Sequence, residues 1–112
     1  MDFGTKQFAL RAIRLVEALP RSRVSDVIGR QLLRSATSVG ANYRSACRGR
    51  SKAEFIARIG IVEDESDESL YWMELIVEAG LLPKARLNDL LQEADELTAI
   101  FTATGRTAKK RR

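Results

Sequence analysis

Two groups of side chains in this sequence could do chemistry, and they carry opposite charge. Between residues 23 and 50 stand Arg23, Arg30, Arg34, Arg44, Arg48 and Arg50. On a helical wheel the first five share one side, and the planar guanidinium fork suits phosphate recognition. The second group is the acidic run Glu63-Asp64-Glu65-Ser66-Asp67-Glu68. Carboxylates in helical bundles can hold metals, but the di-metal bundles complete their sites with Glu-x-x-His pairs, and this chain has no histidine. The single cysteine, Cys47, has no histidine to activate it and reads as a small hydrophobe. These residues point away from an enzyme and away from any cofactor, metal or small-molecule substrate.

The elements that must position these groups are helices. Two prolines, Pro20 and Pro83, fall between long amphipathic stretches, where proline is expected as punctuation. The first helix is predicted from about Lys6 to Leu19, with Phe8, Ala12, Leu15 and Leu19 on its apolar side. The second is predicted from about Ser25 to Cys47, with the core row Val24, Ile28, Leu32, Ala36 or Val39, Tyr43 and Ala46. Beside that row runs a polar seam, Gln31, Ser35, Ser38, Asn42 and Ser45, in steps of four and three. Gly29, Ala36 and Gly40 form a small-residue edge that would let a neighbouring helix come close, or would simply be tolerated there.

Ser51-Lys52-Ala53-Glu54 reads as a capping box opening a third helix, which Gly80 closes with a left-handed residue. Its core row is Phe55, Ile59, Val62, Ser66, Leu70, Met73 and Val77. Pro83 is predicted to open a fourth helix whose stripe of Leu87, Leu90, Leu91, Ala94, Leu97 and Phe101 runs to Gly105. Residues 106–112 read as a frayed, disordered basic tail. Four amphipathic helices with short connections and no strand pattern predict an all-α fold, an antiparallel up-and-down four-helix bundle over residues 1–105.

Charge is distributed unevenly along this chain. Residues 1–50 hold ten Lys or Arg against three Asp or Glu, residues 51–103 hold four against twelve, and the remainder holds five against none. Arg30, Arg34, Arg44, Arg48 and Arg50, joined by Lys109, Lys110, Arg111 and Arg112, are therefore the candidate nucleic-acid contacts. The alternative is that the arginines meet the acidic run of the third helix, inside one bundle or across subunits. The two can coexist.

The third helix also has a second apolar side, with Ala57, Ile61, Trp72, Leu75 and Ala79, and Tyr71 nearby. One bundle buries one side of each helix, so Ile61, Tyr71, Trp72 and Leu75 are the candidate surface for self-association. Trp72 could instead close the bundle edge. The N-terminal residues Met1-Asp2-Phe3-Gly4 lack the basic start and apolar core of a signal peptide. No apolar run approaches the roughly 20 residues of a membrane span. The expectation is a cytoplasmic chain with no membrane partner.

The run from Ile28 to Arg44, Ile-Gly-Arg-Gln-Leu-Leu-Arg-Ser-Ala-Thr-Ser-Val-Gly-Ala-Asn-Tyr-Arg, followed by Arg50-Ser51-Lys52-Ala53-Glu54-Phe55-Ile56, resembles a known family. So does Glu68-Ser69-Leu70-Tyr71-Trp72-Met73-Glu74-Leu75 with Gly80-Leu81-Leu82 after it. The likeness is to the four-helix bundle protein family, which includes proteins encoded in intervening sequences of bacterial large-subunit ribosomal RNA genes. It is similar in turn to the accessory variability proteins of diversity-generating retroelements. The likeness runs from the first helix to about Phe101 and leaves the tail outside it. What it implies is an up-and-down bundle that assembles as a homopentamer, with no catalytic activity. The retroelement relatives further imply RNA, or an RNA-bound protein, as a partner of a basic surface.

Overall fold

The computed structural model describes residues 3–111. Among these, four helices run in order: α1 (Thr5–Glu17), α2 (Arg23–Cys47), α3 (Lys52–Glu78) and α4 (Asn88–Lys110). A short 3-10 turn, Lys84–Arg86, precedes α4. The neighbours α1 and α2, α2 and α3, and α3 and α4 pack side by side, and α4 closes back on α1. The result is a rod of 49 × 20 × 19 Å, the up-and-down bundle.

α2 and α3 start where their local chemistry says they should, and α3 also stops there. The Ser22 hydroxyl accepts from the Ser25 amide at 3.0 Å and opens α2. Ser51 accepts from the Glu54 amide at 3.1 Å and opens α3. The Glu54 carboxylate reaches back one residue further than a capping box requires, accepting from the Arg50 amide at 3.2 Å. At the far end of α3, Gly80 has φ +71°, the Leu81 amide donates to the Ile76 carbonyl, and the Gly80 amide donates to the Val77 carbonyl. This is the Schellman arrangement, which satisfies the last carbonyls of the helix.

Antiparallel register is fixed by contacts along the rod. Ser35 meets Ser69, Arg34 meets Glu65 and Asn42 meets Arg58 between α2 and α3. Thr102 meets Glu63 between α4 and α3, and Arg11 pairs with Glu93 between α1 and α4. The half-buried polar seam of α2 is present as read, and its most buried member, Ser35, has its hydroxyl 2.9 Å from that of Ser69. Ser66 donates to the Val62 carbonyl, so these core hydroxyls are satisfied and the seam specifies register at little cost.

The small-residue edge of α2 faces α1. A Cβ on Gly29 would lie 3.1 Å from Leu19 and 3.2 Å from Val16, and one on Gly40 would lie 3.3 Å from the Thr5 hydroxyl. Glycine is what lets α1 lie this close.

Three local expectations change. Val24 is 53% exposed, because Ser25 and Gly29 take the inward positions against the end of α1 and turn Val24 to solvent. On α3, Ser69 and Ile76 are fully buried while Leu70 and Val77 are half-buried, a row rotated toward α2. Finally, α4 begins at Asn88 after the 3-10 turn and does not stop at Gly105 but continues to Lys110. Gly105 keeps ordinary helical dihedrals, and a Cβ there would make a normal 3.6 Å contact with Ile59. Only a left-handed glycine ends a helix in the way Gly80 does. The basic segment after Gly105 is therefore helical through Lys110.

Candidate nucleic-acid interface

The arginine side of α2 continues as Arg30, Arg34, Thr37, Ala41, Arg44 and Arg48, in alternating steps of four and three that keep it facing outward. All six residues are exposed. Their surroundings nevertheless divide them. The Arg34 guanidinium donates to Glu65 at 3.0 Å, forms an ion pair with Glu68, and takes a further 3.1 Å contact from its Nε to Gln31. Glu68 in turn accepts from the Trp72 indole nitrogen at 3.0 Å. Arg34 is thus committed within the chain, and the acidic run is partly consumed by it. Arg30, Arg44 and Arg48 make no ion pair among the described residues.

The fold gathers eight of the 19 Lys and Arg residues at one end of the rod, while Arg14, Arg21, Arg23, Lys84 and Arg86 lie toward the other. Arg44, Arg48 and Arg50 lie where α2 passes into α3, and Lys52 opens α3. The contact of Gly105 with Ile59 sets α4 beside this same region. At 1.5 Å per residue, the last turn of α4 then lies alongside the first two turns of α3. Arg106, Lys109 and Lys110 therefore join the α2–α3 junction, with Arg111 just beyond. Segments 44–54 and 105–111 together hold eight Lys or Arg and a single carboxylate, Glu54, which is occupied with the Arg50 amide. Arg112 lies outside the described residues. Arg30 is exposed but sits towards the other end of α2, away from this cluster.

An open groove of about 830 Å³ runs between the start of α1 and the last turns of α2. Its floor is made by small residues, Ala9, Gly40 and Ala41, and its rim by Lys6, Arg44 and Arg48. Sequence reading missed Lys6 and Arg106. Lys6 joins the site only through the landing of α1 on the glycine edge of α2, and Arg106 only because α4 stays helical past Gly105.

On the outward side of α3, Ile61 is 41% and Tyr71 52% exposed. Trp72 and Leu75 are half-buried, Trp72 against the core and edge-to-face with Tyr71 at 5.0 Å. Asp64 and Asp67 are exposed between these apolar residues. Among the described residues, no three His, Cys, Asp or Glu side chains converge as metal ligands would, and no helix is long and apolar enough to cross a membrane.

Comparison with known proteins places this geometry. The model of the 23S rRNA-intervening sequence protein family matches residues 4–103, which leaves the basic end of α4 outside the match. A crystal structure of a Bacteroides thetaiotaomicron protein of unknown function from the S23 ribosomal protein family is similar at 29% identity, with a TM-score of 0.83. The similarity covers 89% of this chain and 93% of that one. Comparison with curated proteins gives no match.

Proposed function

The chain belongs to the 23S rRNA-intervening sequence protein family, and from that premise we propose that it is a non-enzymatic, cytoplasmic, homo-oligomeric scaffold that binds RNA through the basic end of the bundle. One observation carries this reading: eight cations against one occupied carboxylate, drawn from three helices to one end of a rod whose long middle helix is acidic. A positive field at an exposed end attracts phosphate. The bound species is free RNA or RNA carried by a protein, and in both cases the phosphates are what the arginines and lysines meet.

Self-association rests on the outward side of α3, where Ile61 and Tyr71 stay exposed beside Trp72 and Leu75. A pentamer, which the family resemblance implies, is an odd-numbered ring and requires two different surfaces per copy, so this side would meet a different face of the next copy. The competing reading is a protein adaptor whose basic and acidic faces pair between subunits. It would draw on Asp64 and Asp67, since Arg34 holds Glu65 and Glu68 within the chain, and it predicts no RNA binding at any salt concentration.

The test is RNA affinity at low salt for the native protein and for the combined Arg44→Ala, Arg48→Ala, Lys109→Ala, Lys110→Ala variant. The proposal expects native binding and a loss in the variant; equal binding by both, or none by the native protein, rejects it.

A further inference from the structure

The groove between α1 and α2 differs from the rest of the basic end, because it has an apolar floor as well as a charged rim. Ala9, Gly40 and Ala41 give a floor without bulky side chains, with part of Tyr43 and the exposed Cys47 along it. The Thr37 hydroxyl on its wall donates to the Leu33 carbonyl at 2.7 Å, so the charged character comes from Lys6, Arg44 and Arg48. Among the described residues, no carboxylate lines it. Arg44 and Arg48 are one turn apart, about 6 Å along the helix, close enough to hold neighbouring phosphates of an extended strand.

A purely electrostatic surface would need no such floor. Double-stranded RNA presents phosphates and 2′-hydroxyls but keeps its bases stacked inside, so it could touch the rim and leave the floor empty. An unpaired nucleotide can do both, laying its base on apolar surface while its phosphates meet the cations. At about 830 Å³ the groove has room for a nucleotide and stays open for the strand to continue toward the α2–α3 junction. We infer that the α1–α2 groove seats an unpaired nucleotide of the bound RNA, so that the protein selects single-stranded or looped RNA over continuous duplex. This inference rests on the reading of the basic end as an RNA surface.

Cys47 is the single cysteine of the chain and lines the groove, so its alkylation rate reports occupancy. The experiment uses the full-length protein at low salt with two probes of equal length, an unstructured RNA strand and a blunt RNA duplex, and measures binding and alkylation in parallel. The strand is expected to bind about tenfold more tightly than the duplex, the scale of a single base contact. It should also slow Cys47 alkylation, whereas bound duplex leaves the rate unchanged. Ala41→Leu, which fills the exposed floor without offering a ring for a base to stack on, should erase the preference and the protection while duplex binding persists.

Equal affinity and equal protection for both probes would overturn the groove assignment and leave the RNA reading standing. Protection that rises with protein concentration in the absence of RNA would overturn it in favour of a second copy occupying the groove. Binding of neither probe would overturn the underlying RNA reading as well.

Discussion

Arg34 and Arg44 occupy the same side of α2 but stand in different electrostatic surroundings. Arg34 meets Glu65, Glu68 and Gln31, whereas Arg44 lines a groove in which no described residue is a carboxylate. Arg34→Ala is therefore expected to cost stability with little loss of RNA affinity. Because Arg34 is 49% exposed, the cost should be about 1 kcal/mol or less, read from the midpoint of urea unfolding. An Arg34→Ala protein with unchanged stability and strongly reduced RNA binding would reverse the roles assigned to these arginines. Sequence alone could place both on one helical side, since that depends only on spacing. It could not separate them, because their partners lie on another helix and in a groove that exists only after α1 has docked.

At the scale of elements, the legible features were those whose cause is local. Ser51 with Glu54, Gly80 and the two prolines each act within one turn of chain, and the structure uses them close to where the sequence placed them. What escaped depended on neighbours. Val24 continues the apolar row of α2 by spacing, but the close approach of α1 at Gly29 puts Ser25 inside instead. Gly105 has the look of a helix stop, yet it packs on Ile59 with helical dihedrals, and α4 carries the basic residues onward. Gly105→Ala is accordingly expected to raise stability by about 0.5–1 kcal/mol, because alanine removes the entropic cost of helical glycine without a clash. Thermal unfolding by circular dichroism checks this. A destabilised variant would mean that Gly105 terminates the helix and that the basic segment does not extend α4.

At the scale of the whole molecule, the rod has three distinct regions: a basic end, an acidic middle on α3, and an apolar outward strip beside that middle. The two-sided pattern of α3 predicts such a strip; Ile61 and Tyr71 are exposed on it, whereas Trp72 and Leu75 are half-buried. The combined Ile61→Lys, Tyr71→Lys variant is expected to keep its helical content and shift the solution mass to that of a single 12.5 kDa chain, with the native protein sedimenting as a multiple of it. A native protein that is monomeric at high micromolar concentration would remove the scaffold from this account.

The basic end makes the central claim, and the salt dependence of RNA affinity tests it most directly. Each phosphate contact on a single strand contributes about −0.7 to the slope of log K against log salt. The native protein is predicted to lose affinity steeply and linearly as salt rises, and removal of Arg44, Arg48, Lys109 and Lys110 should flatten that slope by about 3. A native slope near zero, or one unchanged in the variant, would contradict the assignment of this end of the bundle to RNA.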